Sequence, residues 1–277
     1  MITLYSELDA FENIALFEED FPKWNKLIQS GINLCVNIDS KSLESKLEEQ
    51  DDPIALALLA YGSMQNPISL DTYFQLINED ETTLIENPQS LYLLDISTQE
   101  AKGLREKYGL SVYSSTNPPS DFNLLSISED FEKGELVQCP EGRLKGWQKI
   151  LNDFSGQPSN AVTIVDRNLF SNIEGGEYVG VKNIESILSN TLPNQLSITY
   201  DILIIVELKA RFQNKGNRDA LVSDIVDNIS ALRGYDFSIE TLFIHPSQEP
   251  FEFTHQRRIL KNYHFGQSEH GFSLFKI

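Results

Sequence analysis

The chain has 277 residues, 40% hydrophobic and 23% charged, so it can bury a sizeable core without disulfide or metal cross-links. Its formal net charge is −19. Residues 1–150 hold 26 acids and 11 bases, whereas residues 151–277 hold 15 acids and 11 bases. An acidic surface repels phosphate backbones and anionic membranes over short distances. The composition therefore argues against nucleic-acid or membrane binding by the first half, which would suit a basic partner.

Cysteine content and apolar runs indicate the compartment. Only Cys35 and Cys139 are present, too few for a disulfide framework. The first 20 residues lack the basic region of a signal peptide. The apolar runs, such as the one at 202–206, are far shorter than the roughly 18 residues of a membrane span. We expect a soluble bacterial protein of the cytoplasm with no membrane span.

The N-terminal part has the pattern of a mixed α/β domain. Its first predicted elements, in chain order, are a strand at 33–38, helices at 40–50, 53–64 and 70–78, and a strand at 91–96. Ser97 then opens a helix, because Glu100 stands at the spacing of a capping box. A strand at 110–114 follows that helix closely. We expect a β-α-β unit with parallel strands.

Turn-forming residues at 155–159 predict a domain boundary, which divides the chain into domains 1–157 and 158–277. The predicted elements of the second domain are strands at 161–165, 196–208 and 237–244, helices at 181–190 and 218–233, and a final hairpin of strands at 258–265 and 271–275. The second helix shows one apolar face, and Gly234 is the predicted C-terminal cap. The fold class is α/β with two domains, the second a β-α-β-α-β-β-β sheet with flanking helices.

The segment around His255 is the strongest candidate for chemistry. All four histidines lie near the C-terminus, but their spacing matches no known zinc motif, so we expect no metal site. If the segment is extended, His255 and Arg257 point to the same face. An imidazole can act as a nucleophile, and a guanidinium can bind a phosphate through two hydrogen bonds. The pair could thus hold a phosphate together.

A motif in the same segment resembles that of the phospholipase D-like superfamily, whose signature is H-x-K-x4-D followed by a Gly/Ser segment. Here the sequence reads His255-x-Arg257-x4-Asn262, followed by Gly266-Gln267-Ser268. The predicted element order from residue 160 onward is also similar to half of that fold. The C-terminal domains of MIT-domain proteins, which bind membranes without catalysis, show the same structural resemblance.

The resemblance implies roles for individual residues. His255 would be the covalent nucleophile, Arg257 would bind the phosphate, and Ser268 would donate to a phosphate oxygen. Asn262 stands where the family has the acid that orients the histidine, and it cannot supply a carboxylate charge. Active members of the superfamily combine two motifs in one site, so catalysis here implies a homodimer or another partner.

Further charged residues are candidates for phosphate binding. Arg258 and Lys261 belong to the same segment, and Asp166 and Arg167 follow the predicted strand at 161–165. In an open α/β sheet, ligands bind beside the C-terminal ends of the strands, so Asp166 and Arg167 could border the site of His255. The alternative is that these residues are solvated charges or form local salt bridges.

Two strand-end acids in the first half, Asp39 and Asp95, could bind Mg²⁺ or could simply cap helices and turns. The chain contains no G-x-G-x-x-G, Walker A or G-x-S-x-G motif, and we expect no cofactor.

Two functions remain open from the sequence. The first is recognition or cleavage of a phosphodiester, most readily nucleic acid, as a phospholipase D-like nuclease in a bacterial defence assembly. The second is a non-catalytic interaction subunit whose acidic N-terminal half docks a basic protein partner.

Overall fold

The computed structural model describes residues 2–17, 19–29, 32–48, 70–119, 157–247 and 257–268. The chain divides into two units, Met1–Glu132 and Lys133–Ile277, which we call unit 1 and unit 2. Both contain helices and a β-sheet, so the α/β class is confirmed. The predicted boundary at 157/158 stays a prediction, since residues 120–156 lie outside the described ranges.

Unit 1 is built on a parallel sheet of four strands, in the order β2-β1-β3-β4. The strands are β1 (Thr3–Glu7), β2 (Asn33–Asn37), β3 (Leu91–Leu94) and β4 (Ser111–Ser114). All four residues of β3 are buried. Continuous burial of this kind is typical of a parallel sheet covered on both faces.

Five helices of unit 1 fall within the described residues: α1 (Leu8–Leu16), α2 (Pro22–Gln29), α3 (Ser40–Glu48), α4 (Leu70–Glu79) and α5 (Thr98–Tyr108). A 3₁₀ helix at Glu81–Glu86 follows α4. Helix α1 buries Ala10, Phe11 and Ile14, whose spacing places them on one helical face. The predicted helix at 53–64 lies outside the described residues.

The predicted β-α-β unit around Ser97 is confirmed. The Ser97 hydroxyl accepts a hydrogen bond from the Glu100 backbone N–H (3.2 Å), and the Glu100 carboxylate accepts one from the Ser97 N–H (2.9 Å). Gly109, with a φ of 65°, ends α5 in the left-handed conformation that favours glycine. The flanking strands β3 and β4 pair in parallel, as the short connections predicted.

Unit 2 contains a five-stranded mixed sheet, in the order β11-β10-β5-β8-β9. Its strands are β5 (Ala161–Val165), β8 (Tyr200–Glu207), β9 (Phe237–Ile244), β10 (Arg257–Lys261) and β11 (Phe265–Ser268). Strands β5, β8 and β9 are mutually parallel. Strand β10 runs antiparallel to both β5 and β11. The strands predicted at 161–165 and 237–244 are confirmed.

Within the described part of unit 2, two α-helices accompany this sheet, α6 (Val179–Thr191) and α7 (Lys215–Ser230). The predicted apolar face of α7 is confirmed, because Leu221, Ile225 and Ile229 are buried in the core of unit 2. Gly234 does not cap this helix, because α7 ends at Ser230 and Ala231 is its C-cap. Among the described helices, none is both long enough and apolar enough to cross a bilayer.

Two further predictions for unit 2 differ from the structure. Residues 258–265 do not form one strand, because a turn after Lys261 folds the chain back as the β10–β11 hairpin. A ribbon of β6 (Ile173–Glu174) and β7 (Glu177–Tyr178) was not predicted, and its turn uses two glycines with positive φ. The predicted strand at 271–275 lies outside the described residues.

Candidate functional site

The candidate site lies at one edge of the unit 2 sheet, where the parallel strands β5 and β8 end. Strand β5 ends at Val165 and β8 ends at Glu207. Strand β10 runs in the opposite direction and pairs Arg258 with Val165, so its first residue, Arg257, reaches the same edge. The C-terminal edge of a parallel sheet is the usual ligand position in α/β proteins. We call this region the C-terminal edge of unit 2.

Asp166 and Arg257 meet at this edge. The Nε of Arg257 lies 3.6 Å from Oδ1 of Asp166, and the Asp166 residue is only 2% exposed. Oδ1 of Asp166 also accepts a hydrogen bond from the backbone N–H of Asn168 (2.8 Å). The Asp166 backbone N–H donates to the Ile205 carbonyl of β8 (3.1 Å). Asp166 is thus fixed by backbone contacts while its carboxylate faces the arginine that begins β10.

A second charged group at the same edge is centred on Glu207, the last residue of β8. Its carboxylate accepts a hydrogen bond from Nε of Arg167 and lies 3.1 Å from Nζ of Lys209. Burial would raise the pKa of Glu207, but the hydrogen bonds from Lys209 and Arg167 outweigh burial and lower it below its ordinary value. Glu207 is therefore ionised at neutral pH and holds two cations beside the strand ends.

Among the described residues at this edge, the cations outnumber the acids. The cations are Arg167, Lys209, Arg257 and Arg258, and the acids are Asp166 and Glu207. The chain as a whole is strongly acidic, with a net charge of −19. Clustered cations on an acidic protein attract anions to one place, and arginine suits phosphate because its planar fork offers two parallel donors.

The residues of the predicted motif are divided between the two edges of the sheet. Arg257 lies at the C-terminal edge, and Ser268 is its backbone partner in the β10–β11 hairpin. Lys261 ends β10, roughly 14 Å from Arg257 at about 3.4 Å per residue, and Asn262 follows it. His255 lies outside the described residues, so its predicted role stays a prediction.

Asn262 holds the start of β5. Its side-chain oxygen accepts hydrogen bonds from the backbone N–H groups of Asn160 (2.9 Å) and Ala161 (3.1 Å). Its amide nitrogen donates to the Asn160 side chain (2.6 Å). These bonds fix β10 to the beginning of β5, and they give Asn262 a structural role at the edge opposite Arg257.

Lys261 is buried, and its amino group donates to the Thr191 carbonyl at the end of α6 (2.6 Å). Burial lowers the pKa of Lys261 to about 7. Its neighbour His264 is also buried, and desolvation together with the Lys261 charge lowers the pKa of His264 to about 3. Lys261 therefore binds a helix end inside unit 2, at the end of β10 opposite Arg257.

Sequence reasoning missed Glu207 and Lys209. The strand was predicted to run to residue 208, so Glu207 was assigned to its interior. In the structure β8 ends at Glu207. The rule that selected Asp166, a charged residue soon after an apolar strand, finds Lys209 once the strand end is placed at Glu207, whereas Glu207 itself is the last residue of the strand.

Of the two acids considered for Mg²⁺ in the first half, Asp39 caps α3. Its carboxylate accepts hydrogen bonds from the N–H groups of Lys41 and Ser42, each at 3.0 Å. The described residues contain no group of three or more His, Cys, Asp or Glu side chains placed to hold a metal ion.

Comparison of the chain with protein-family models, with curated proteins and with solved structures found no match. The resemblance to the phospholipase D-like superfamily therefore rests on the motif at 255–268 and on the order of elements. It enters below as a proposal.

Proposed function

We propose that unit 2 binds a phosphodiester of nucleic acid at its C-terminal edge and cleaves it with His255 as the nucleophile, as a phospholipase D-like domain with an altered motif. The observation that carries the proposal is the contact between Arg257 and Asp166. It supports placing the arginine of the motif beside the strand ends, within a cluster of cations.

The cations at this edge suit a phosphate group. Arg257 and Arg258 begin β10, and Glu207 holds Arg167 and Lys209 beside them. A guanidinium carries five N–H donors, so Arg257 can contact Asp166 and still offer donors to a phosphate oxygen. Arg257 and Lys209 supply the positive charge, while Asp166 orients Arg257.

The proposed reaction has two steps. A ring nitrogen of His255 attacks phosphorus, the bond from phosphorus to the leaving oxygen breaks, and that oxygen takes a proton from water. A water molecule then attacks the phosphohistidine, which releases a phosphomonoester and regenerates His255. Arg257 and Lys209 would stabilise the charge on the phosphate oxygens in both steps. The superfamily uses two motifs in one site, so we propose that two copies of the chain associate to form it.

A cleavage assay tests the proposal. The purified full-length chain is incubated with end-labelled single-stranded DNA and RNA oligonucleotides, and the products are separated on a denaturing gel. We expect cleavage by the wild-type chain and loss of at least about a hundredfold in rate for His255→Ala, consistent with the usual loss when a nucleophile is removed. Lys102→Gln, which removes an exposed charge on α5 of unit 1, is the control and should cleave normally.

Unchanged cleavage by His255→Ala would eliminate His255 as the nucleophile. If the wild-type chain bound oligonucleotides without cleaving them, the proposed cleavage would be wrong, and unit 2 would be a non-catalytic binding domain. The acidic first half would then be the better place to look for a protein partner.

A further inference from the structure

A separate feature of unit 1 is the cleft at the C-terminal edge of its own sheet. Strand β1 leads through α1 and α2 to β2 on one side, whereas β3 leads through α5 to β4 on the other side. The chain thus leaves two neighbouring strands in opposite directions. In open parallel sheets this change of direction creates a crevice between the strand ends, and ligands bind there.

The structure has a cleft of about 360 Å³ at this place. Its lining side chains include Glu7, Asp9, Asn13, Asp95, Ser115 and Thr116. Glu7 ends β1, Asp9 and Asn13 lie on α1, Asp95 follows β3, and Ser115 and Thr116 follow β4. A volume near the lower end of the range for small-molecule sites suits a compact ligand.

Glu7 is the fixed element of the cleft. Its carboxylate accepts a hydrogen bond from the Asn37 amide (2.7 Å) on β2 and another from the Asp95 backbone N–H after β3. One side chain therefore joins the ends of three adjacent strands. Burial is the main cause that raises the pKa of Glu7, and the charges of Asp95 and Asp9 raise it further.

The acidic residues that line the cleft favour a positively charged ligand. Three carboxylates, an amide and two hydroxyls face the cleft, and none of the described residues that line it is a lysine or arginine. Like charges in a partly buried cleft repel one another, and a cationic ligand relieves that repulsion. Phosphate and other anions are excluded from this cleft for the same reason.

The spacing of the acids decides between a metal ion and an organic cation. Within the described part of unit 1, no three acidic, histidine or cysteine side chains are close enough together to hold one metal ion. A ligand with several separated positive groups can instead reach each carboxylate in turn. We propose that the cleft of unit 1 binds a small organic polycation of the polyamine type, with ammonium groups at Glu7, Asp9 and Asp95.

Isothermal titration calorimetry of spermidine into the full-length chain tests this proposal at about 150 mM salt, where weak surface attraction is screened. We expect one saturable site. Glu7→Gln keeps a hydrogen-bond acceptor for Asn37 but removes the charge, and it should weaken binding by about tenfold or more, as expected for one lost ion pair in a partly buried site. Asp9→Asn should also weaken spermidine binding. Because Asp9 is exposed, this substitution should leave the fold intact, so weaker binding would not be due to misfolding.

The matched control is Glu79→Gln, which removes one acid from an exposed position at the end of α4, away from the cleft lining. Its affinity for spermidine should equal that of the wild type. Equal weakening by all three variants would mean general attraction to an acidic protein and would overturn the proposal. Absence of saturable binding would also overturn it, as would displacement of spermidine by an equimolar amount of MgCl₂, which would indicate a metal site.

Discussion

The Nε of Arg257 lies 3.6 Å from a carboxylate oxygen of Asp166. Arg257 begins β10 and Asp166 follows β5, two strands that are far apart in the sequence but adjacent in the sheet. Asp166 is almost completely buried, and the Arg257 side chain is 19% exposed. The pair therefore joins the core of unit 2 to its C-terminal edge. Its energy can be measured separately from any activity.

A double-mutant cycle measures that energy. Asp166→Asn leaves the arginine without its opposing charge, and Arg257→Gln leaves the aspartate in the same position. We expect each single variant to lose about 1–3 kcal/mol of unfolding free energy, below the full cost of a broken buried pair because Arg257 is partly exposed. Urea unfolding of both singles and the double should give a coupling of about 1 kcal/mol. Strictly additive losses would show that the two side chains do not interact.

The Glu207 carboxylate should contribute stability that depends on pH. The pKa of Glu207 is lowered in the folded chain, so the unfolded chain binds more protons as the pH falls. The contribution is fully present above the unfolded pKa near 4.3 and is lost as pH falls through the lower folded pKa. Urea titrations at several pH values should show Glu207→Gln less stable than the wild type by a constant amount above about pH 5. The gap should narrow below pH 4, and a gap independent of pH would contradict the assignment.

The buried Lys261 should give a second pH-dependent test, in neutral to alkaline solution. Its folded pKa of about 7 lies below the unfolded value near 10.4, so the unfolded chain binds more protons between these two values. The stability of the wild type should therefore rise with pH, relative to Lys261→Met, by about 2 kcal/mol between pH 7 and pH 9. Urea unfolding of both proteins at the two pH values measures this difference. A difference that does not change with pH would mean that Lys261 titrates normally.

Gly180 should be intolerant of any side chain. A Cβ at this position would lie 2.1 Å from the Leu169 carbonyl oxygen and 2.8 Å from a ring carbon of Phe170. Backbone atoms cannot move aside cheaply, so Gly180→Ala should lose about 3 kcal/mol or more of stability. Gly103 in α5 is the matched control, because nothing lies within 4 Å of the added Cβ. Thermal unfolding should show Gly103→Ala stabilised by about 0.5–1 kcal/mol, and comparable effects of the two substitutions would contradict the packing at Gly180.

The sequence predicted those elements whose signals are local. The strand at 161–165 is a continuous apolar run, and the helix after Ser97 has caps at both ends, so both were placed correctly. The end of α7 was misplaced because Leu232 continues the apolar pattern beyond Ser230. In the structure Arg233 instead donates to the carbonyls of Ser189 and Pro193 at the end of α6. Sequence periodicity carries no information about such long-range bonds.

The candidate site was predicted in part for the same reason. Asp166 directly follows a clear strand, and Arg257 was chosen from the motif, so both could be named from the sequence. Their contact depends on the antiparallel pairing of β10 with β5, which only the folded sheet defines. The same pairing places Lys261 and Asn262 at the opposite edge of the sheet. Their hydrogen bonds to Thr191 and Asn160 join residues far apart in the sequence, so local sequence patterns do not predict them.

The central claim is that the C-terminal edge of unit 2 binds a phosphodiester through Arg257, and fluorescence anisotropy with a labelled single-stranded oligonucleotide tests it most directly. At fixed salt near 100 mM, Arg257→Gln should bind at least about tenfold more weakly than the wild type, since a charge-assisted bidentate contact to phosphate is lost. Lys102→Gln, which removes the same charge from an exposed position on α5 of unit 1, should bind like the wild type. Equal affinities for all three proteins, or no binding by the wild type, would contradict the claim.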